Sequence, residues 1–222
     1  MTASRPDLRR GTVDLARRAR RGAARAWILA REASMLLRLP PHVALFYVRA
    51  WWVAIRSADR FSLASITRPS DVRGLVELAR GYVSVAELGT GTGWTAIALA
   101  LADSRRRVIS YDPVLRPERH RYVGLIDARS QARIDFRIEP AERADAERAS
   151  IGFLFVDCAH DETTTRAAFE NWRDAIADGG TVVFHDYGHA DYPGVRRAIE
   201  GLGLRGEVRG GLFIWRNSER GS

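Results

Sequence analysis

The chain has 222 residues, 46% of them hydrophobic, which suits one domain of ordinary size with an appendage. Its single cysteine, Cys158, excludes an internal disulfide framework, and all 35 basic residues are Arg, so no lysine is present to act as a base. The formal charge of +8 is concentrated at one end: residues 1–60 hold 13 Arg against Asp7, Asp14, Glu32 and Asp59, whereas the other 162 residues hold 22 Arg and 23 acids.

Residues 1–25 are Arg, Ala and polar, with little to bury, and are expected to form a basic disordered arm. The apolar run Ala26–Ala30 is too short for a signal peptide, and the longest uncharged run nearby, Leu39–Val48, is too short to span a membrane. Residues 26–39 and 42–56 read as two amphipathic helices split by Pro40-Pro41, the second carrying Phe46, Tyr47, Trp51, Trp52 and Ile55. They make residues 26–69 a helical extension that packs on the domain as a lid or a dimer surface. An Arg-rich face resting on anionic lipid is the sharper alternative. No nucleic-acid motif accompanies the arm, so nucleic acid is not an expected partner.

From Ser70 the pattern becomes regular. Ser70 or Asp71 is expected to cap a helix to about Arg80, with Gly81 ending it. Strand 83–88, helix 94–102 and strand Arg107–Tyr111 follow. A helix is expected within 117–129, then strand Ile134–Ile138 and a short helix in 141–149. Strand Ile151–Val156 is apolar enough to be central. Helix Thr163–Ala177 should stop at Asp178-Gly179-Gly180, before strand Thr181–Phe184. A helix from Pro193 to about Leu202 precedes two strands flanking Gly210-Gly211, read as an antiparallel hairpin. This alternation predicts an α/β fold: a doubly wound, mostly parallel seven-stranded sheet with a terminal hairpin, formed by residues 70–222. Ligands bind such sheets beyond the carboxyl ends of the strands, where Glu87, Asp112, Glu139, Asp157, His185 and Asp186 fall.

The stretch Val83–Thr95 (VSVAELGTGTGWT) is strand, glycine turn and helix start, an arrangement that offers a ligand bare backbone N–H groups and the positive end of a helix. Glu87 stands just before the turn, as a carboxylate at the mouth of a site. The turn is Gly89-x-Gly91-x-Gly93, one residue short of the dinucleotide fingerprint, and Trp94 stands where a small third residue is needed. That spacing weakens a nicotinamide-dinucleotide oxidoreductase reading.

The run Glu87-Leu88-Gly89-Thr90-Gly91-Thr92-Gly93 resembles the first motif of the S-adenosylmethionine-dependent methyltransferases with the Rossmann-like seven-stranded fold. The stretch Phe155–Ile199, with FVDCAH, GGTVVFHDY and YPGV in order, is similar to a narrower group. These are the metal-dependent small-molecule O-methyltransferases and their cephalosporin-hydroxylase-type relatives. The resemblance implies that Gly89, Thr90 and Gly91 pass under the methionine part of the cofactor, with Thr95 near its carboxylate. It implies Asp112 on the ribose hydroxyls, and Pro140, Ala141 and Glu142 along the adenine. Asp157 and Asp186 would bind a divalent cation, Mg²⁺ or Mn²⁺, with Asp157 shared by cofactor and cation sites. Asp161 or Glu162 are the acids available to complete the ligand set, and imidazole ligands would favour a softer ion.

Methyl transfer to oxygen requires the acceptor to lose a proton. His160, His185 and His189 are the candidate bases, with His160 favoured because it lies three residues past Asp157; His160, His185 and Asp157 are thus the expected catalytic set. Trp51, Trp52, Tyr187 and Tyr192 are candidates for an acceptor pocket, and Cys158 reads as a small buried neighbour. The expected whole is a cytoplasmic methyltransferase for a small-molecule hydroxyl. A peripheral membrane contact through residues 1–60 and a homodimer are further expectations. A non-catalytic domain that keeps the fold to bind a partner is the remaining alternative.

Overall fold

The computed structural model describes residues 30–143 and 146–218. The expected basic arm lies outside them. Residues 30–36 are helical (α1). Pro41, at the first turn where its missing N–H costs nothing, opens α2 (Pro41–Arg56). α3 (Arg60–Ser65), a short helix the sequence reading did not resolve, is capped by Asp59, and α4 spans Pro69–Leu78. Pro69, and not Ser70 or Asp71, leads α4; the Ser70 N–H and hydroxyl instead donate to Glu32 at 3.0 Å.

The sheet then begins. β1 (Ser84–Leu88), α5 (Trp94–Ala102) and β2 (Arg107–Tyr111) fall where expected. The helix expected in 117–129 is two short pieces, α6 (Arg119–Val123) and α7 (Ala128–Gln131), before β3 (Ile134–Arg137). The described residues of 141–149 form turns, not a helix. β4 spans Ile151–Val156, α8 Glu162–Trp172, and a 3₁₀ turn Arg173–Ala175 leads directly into β5 (Ile176–Phe184). α9 (Pro193–Gly201) and the hairpin β6 (Glu207–Arg209) and β7 (Leu212–Arg216) complete the chain.

The β5 boundary corrects the expected helix to Ala177. Ile176 already pairs with Ile151, but the next aligned pair is Phe153 with Thr181, so the intervening residues bulge out of the ladder. Gly179 is left-handed there (φ 71°), and a Cβ on Gly180 would meet the Ala177 carbonyl at 2.7 Å. The glycine pair thus makes a bulge inside a strand.

The seven strands run in the order β3-β2-β1-β4-β5-β7-β6, with β1 to β5 parallel and β7 antiparallel to both neighbours. Alternation along β4 sends Phe153 and Phe155 to one face, with Leu75, Leu99 and Ile214, and Leu154 and Val156 to the other, with Phe169, Trp172 and Ile199. A third cluster seats α2 on α5: Val43, Phe46, Tyr47, Ala50 and Ala54, at helical spacing, pack around Trp94 and Tyr122. β1 and β4 are adjacent, yet their connections leave to opposite sides, which opens a crevice at their carboxyl ends.

Candidate active site

The backbone ladder runs on past the strands and fixes the rim of that crevice. Gly89 N donates to Tyr111 O (2.8 Å), Asp112 N to Arg137 O (3.1 Å), Asp157 N to Leu88 O (2.8 Å) and His185 N to Val156 O (3.0 Å). The glycine turn, Asp112, Asp157 and His185 are therefore set side by side by the sheet itself. They line a cavity of about 1060 Å³, which matches the upper end of ligand pockets at about 1,000 Å³ and leaves room for two molecules.

Gly89, Gly91 and Gly93 all have left-handed backbones (φ 104°, 52° and 86°). At Gly89 the requirement is absolute: a Cβ would sit 2.1 Å from the Asp157 carbonyl oxygen. Asp112 accepts from Gly91 N (2.8 Å) and Val114 N (2.8 Å), so the carboxylate braces the turn and faces the cavity. Gly89, Thr90, Gly91, Thr95, Asp112, Ala141 and Asp157 all line the cavity. Three residues expected at the cofactor, Pro140, Glu142 and Glu87, do not. Glu142 stays outside the lining, its carbonyl accepting from Asn171 Nδ2. Glu87 is not at the mouth: it is 1% exposed within β1, hydrogen-bonded to the Ser110 hydroxyl, which also pairs with Thr90 Oγ1 (2.6 Å). Burial, more than its acidic neighbours, pushes the Glu87 carboxyl up to about 8.

Across the cavity, Asp157, His160, His185 and Asp186 each place one ligand atom within 4.8 Å of all the others. Asp157 Oδ1 lies 2.9 Å from His185 Nδ1 and 3.2 Å from His160 Nε2. Asp186 Oδ2 lies 3.1 Å from His160 Nε2 and 3.6 Å from His185 Nδ1. His160 and Asp186 have left-handed backbones (φ 56° and 55°), a strained conformation for residues with side chains. The His160 loop is held from outside by Gly194 of α9, where a Cβ would meet His160 O and Asp161 Cα at 2.7 Å.

The two imidazoles hold positive charge between the two carboxylates. Hydrogen bonds to Asp157 and Asp186 raise His160 to about 9. Burial lowers His185, but the Asp157 charge and the Asp157 and Asp71 contacts outweigh it and raise it to about 11. Burial opposes ionisation of Asp157, yet the two histidines hold it down to about 2. So paired, both rings favour the protonated form in this arrangement.

Other expectations are redistributed. Asp161 caps α8 through Thr164 N (2.8 Å) and Glu162 pairs with Arg197 (2.9 Å), so neither reaches the cluster. His189 lines the cavity outside the cluster, and Tyr192 lies between the His160 and His189 rings at 4.4 and 4.7 Å. Tyr187 packs on Phe213, Trp51 on Tyr47, and Trp52 is 62% exposed, so none of the three lines the cavity. Cys158 lines it, with burial pushing its thiol up to about 12, far from a reactive thiolate. Sequence reasoning missed Phe61, Thr67 and Arg116, which line the cavity from the extension and the β2–α6 loop, and Asp71, 3.5 Å from His185 Nε2. Only three-dimensional packing brings these in.

Residues 86–187 match the family model of a methyltransferase domain. No curated protein sequence matches the chain. An O-methyltransferase from Bacillus cereus, solved with S-adenosylhomocysteine, shares the fold at 18% identity and TM-score 0.59, over 75% of this chain and 88% of that one. The O-methyltransferase TomG from Streptomyces achromogenes, solved with S-adenosylmethionine, aligns at 18% identity and TM-score 0.53, over 69% and 82%. A Corynebacterium glutamicum protein aligns at 14% identity and TM-score 0.58, over 80% and 99%. Residues 86–187 thus carry a match to a methyltransferase domain, and the strand order is that of the Rossmann-like fold shared with these solved methyltransferases. That match favours the methyltransferase reading over the dinucleotide-oxidoreductase alternative.

Proposed function

We propose that the chain transfers a methyl group from S-adenosylmethionine to a hydroxyl oxygen of a small molecule, with residues 70–222 as the transferase domain and the helical extension as its cover. The carrying observation is the single cavity wall that joins the glycine turn and Asp112 to the Asp157–His160–His185–Asp186 cluster. Gly89, Thr90 and Gly91 would carry the methionine part, Asp112 would accept from the ribose hydroxyls, and Ala141 would border the adenine. The solved O-methyltransferases that bind S-adenosylmethionine or its product support this reading through the shared fold.

The cluster fits a divalent cation. Donors about 2.1 Å from one ion lie about 3.0–3.4 Å apart; the four histidine–aspartate pairs here are separated by 2.9–3.6 Å, and all four atoms lie within 4.8 Å of one another. Two half-buried carboxylates that draw protons onto both imidazoles are a site that demands positive charge. With two nitrogen and two oxygen donors it suits Mn²⁺ or Zn²⁺ better than Mg²⁺. Asp157, His160, His185 and Asp186 would hold the ion, and Asp71 would orient His185 from behind. A bound cation supplies Lewis acidity that lowers the pKa of an acceptor hydroxyl. The acceptor would be positioned against Tyr192 and His189. A cofactor-consumption screen over hydroxylated small molecules, with Mn²⁺, Mg²⁺ or EDTA, tests this. Turnover that needs the cation and disappears in Asp186→Ala is expected; turnover indifferent to EDTA removes the ligand assignment.

The same reading includes a cytoplasmic enzyme that touches anionic membrane. On the outer face of α2, Leu45, Val48, Trp52 and Ile55 form an exposed apolar stripe, and residues 1–60 carry nine more positive than negative charges. A homodimer through this stripe would bring two such charges together, so lipid is the favoured occupant. Among the described residues no helix is long and apolar enough to cross a membrane.

A further inference from the structure

We propose that Asp59, outside the matched methyltransferase domain, is a positioning residue for the cofactor: acting through Ser62, it fixes the Thr92 hydroxyl and with it the Gly91–Gly93 turn. This inference rests on the reading of that turn as a cofactor seat.

Asp59 is buried at the start of α3. Its carboxylate accepts from Ser62 N (3.0 Å), Ser62 Oγ (2.7 Å) and Tyr122 OH (2.5 Å). Ser62 Oγ also lies 2.9 Å from Thr92 Oγ1. A hydroxyl has one proton to give. With Ser62 donating to the carboxylate, Thr92 must donate to Ser62, so the chain runs in one direction, from Thr92 through Ser62 to Asp59. All four side chains are buried, and a Thr92 hydroxyl that loses this acceptor loses the bond that fixes its direction.

The rest of the loop is held by other bonds: Arg119 Nη2 donates to Gly91 O (3.1 Å), Gly93 N to Thr90 O (2.8 Å) and Ile97 N to Gly93 O (3.0 Å). Gly89 and Thr90 are tied to β2 through the Tyr111 carbonyl and Ser110, and Gly91 to Asp112. The Thr92 side chain is tied through Ser62 to the extension, and the next turn of α5 follows the same logic: Thr95 Oγ1 pairs with Thr67 Oγ1 (2.8 Å), whose carbonyl accepts from Tyr47 OH (3.3 Å). Thr92 and Thr95 both line the cavity. The extension therefore grips the two threonine hydroxyls, Thr92 and Thr95, that the sheet does not reach. Without the grip, a glycine-flanked segment at left-handed φ is free to sample other conformations, and ligand binding must restore the order.

The test uses the full chain and compares Asp59→Asn, Thr92→Val and Thr92→Ser. Thr92→Val keeps the shape and loses the hydroxyl; Thr92→Ser keeps the hydroxyl. Expected are an S-adenosylhomocysteine Kd and an S-adenosylmethionine KM at least tenfold higher for Asp59→Asn and Thr92→Val, with kcat and acceptor KM within about twofold, and near-normal affinity for Thr92→Ser. Amide hydrogen exchange over residues 89–95 should quicken in the two impaired variants, with β4 unchanged. A Thr92→Val chain that binds like wild type, or a Thr92→Ser chain as weak as Thr92→Val, overturns the proposal. A wild-type chain that does not bind S-adenosylhomocysteine overturns the transferase reading itself; the exchange comparison then decides separately whether Asp59 holds the loop.

Discussion

At Glu87, burial decides the chemistry. Its carboxyl, normally near 4.5, is raised to about 8, so the folded chain keeps a proton that the unfolded chain loses. The associated stability is complete below pH 4.5 and is lost as pH rises through 8. Glu87→Gln keeps the hydrogen-bonding shape without titrating. Thermal unfolding at pH 5 and pH 8.5 should therefore show the variant gaining on wild type at the higher pH; parallel pH profiles would show that Glu87 does not titrate in this range. The same residue shows where reading by position fails: a carboxylate before a glycine turn suggests a mouth, but β1 turns its side chain toward Ser110. Gly89 was legible as a close-approach position, though not what approaches it. Gly89→Ala, at φ 104° and against the Asp157 carbonyl, should cost about 2 kcal/mol or more and abolish S-adenosylhomocysteine binding, both measurable by denaturant titration and calorimetry. An unaffected Gly89→Ala would mean that the loop relaxes.

Among the elements, those with clear periodicity and clean ends were readable: β1, α5, β2, β4 and α9 fall within a residue or two of expectation. Misreadings came where one residue type serves two purposes. Asp178-Gly179-Gly180 is good chemistry for a helix stop and equally good for a bulge, and only pairing of Ile176 with Ile151 decides it. Asn217 pins that bulge by donating Nδ2 to the Ile176 and Ala177 carbonyls at 3.1 Å. Asn217→Ala should lower stability by about 1–3 kcal/mol in denaturant unfolding and leave cofactor affinity intact. α2 was legible as amphipathic, but the aromatics split: Phe46 and Tyr47 enter the core while Trp52 and Ile55 face outward. Trp52→Ser with Ile55→Ser should leave the melting temperature unchanged and reduce co-sedimentation with phosphatidylserine vesicles, an effect absent with neutral vesicles. Undiminished sedimentation removes the stripe from membrane binding, and a shift from dimer to monomer on a sizing column would name a second copy as its occupant.

For the molecule as a whole, alternation of strands and helices announced the sheet, and the sheet announced where a ligand would sit. That logic brought Asp112, Asp157, His185 and Asp186 to one rim as expected, because each is the first or second residue past a parallel strand. The grip of α3 on the glycine turn was invisible, since Asp59 and Thr92 are 33 positions apart and carry no shared pattern. The central claim is that the cavity is an S-adenosylmethionine site. Calorimetric titration of the full chain with S-adenosylhomocysteine and with NAD tests it most directly. The account predicts saturable one-to-one binding of S-adenosylhomocysteine, weakened at least tenfold in Asp112→Ala, and no heat from NAD. Absence of S-adenosylhomocysteine binding, or saturable NAD binding in its place, would contradict it.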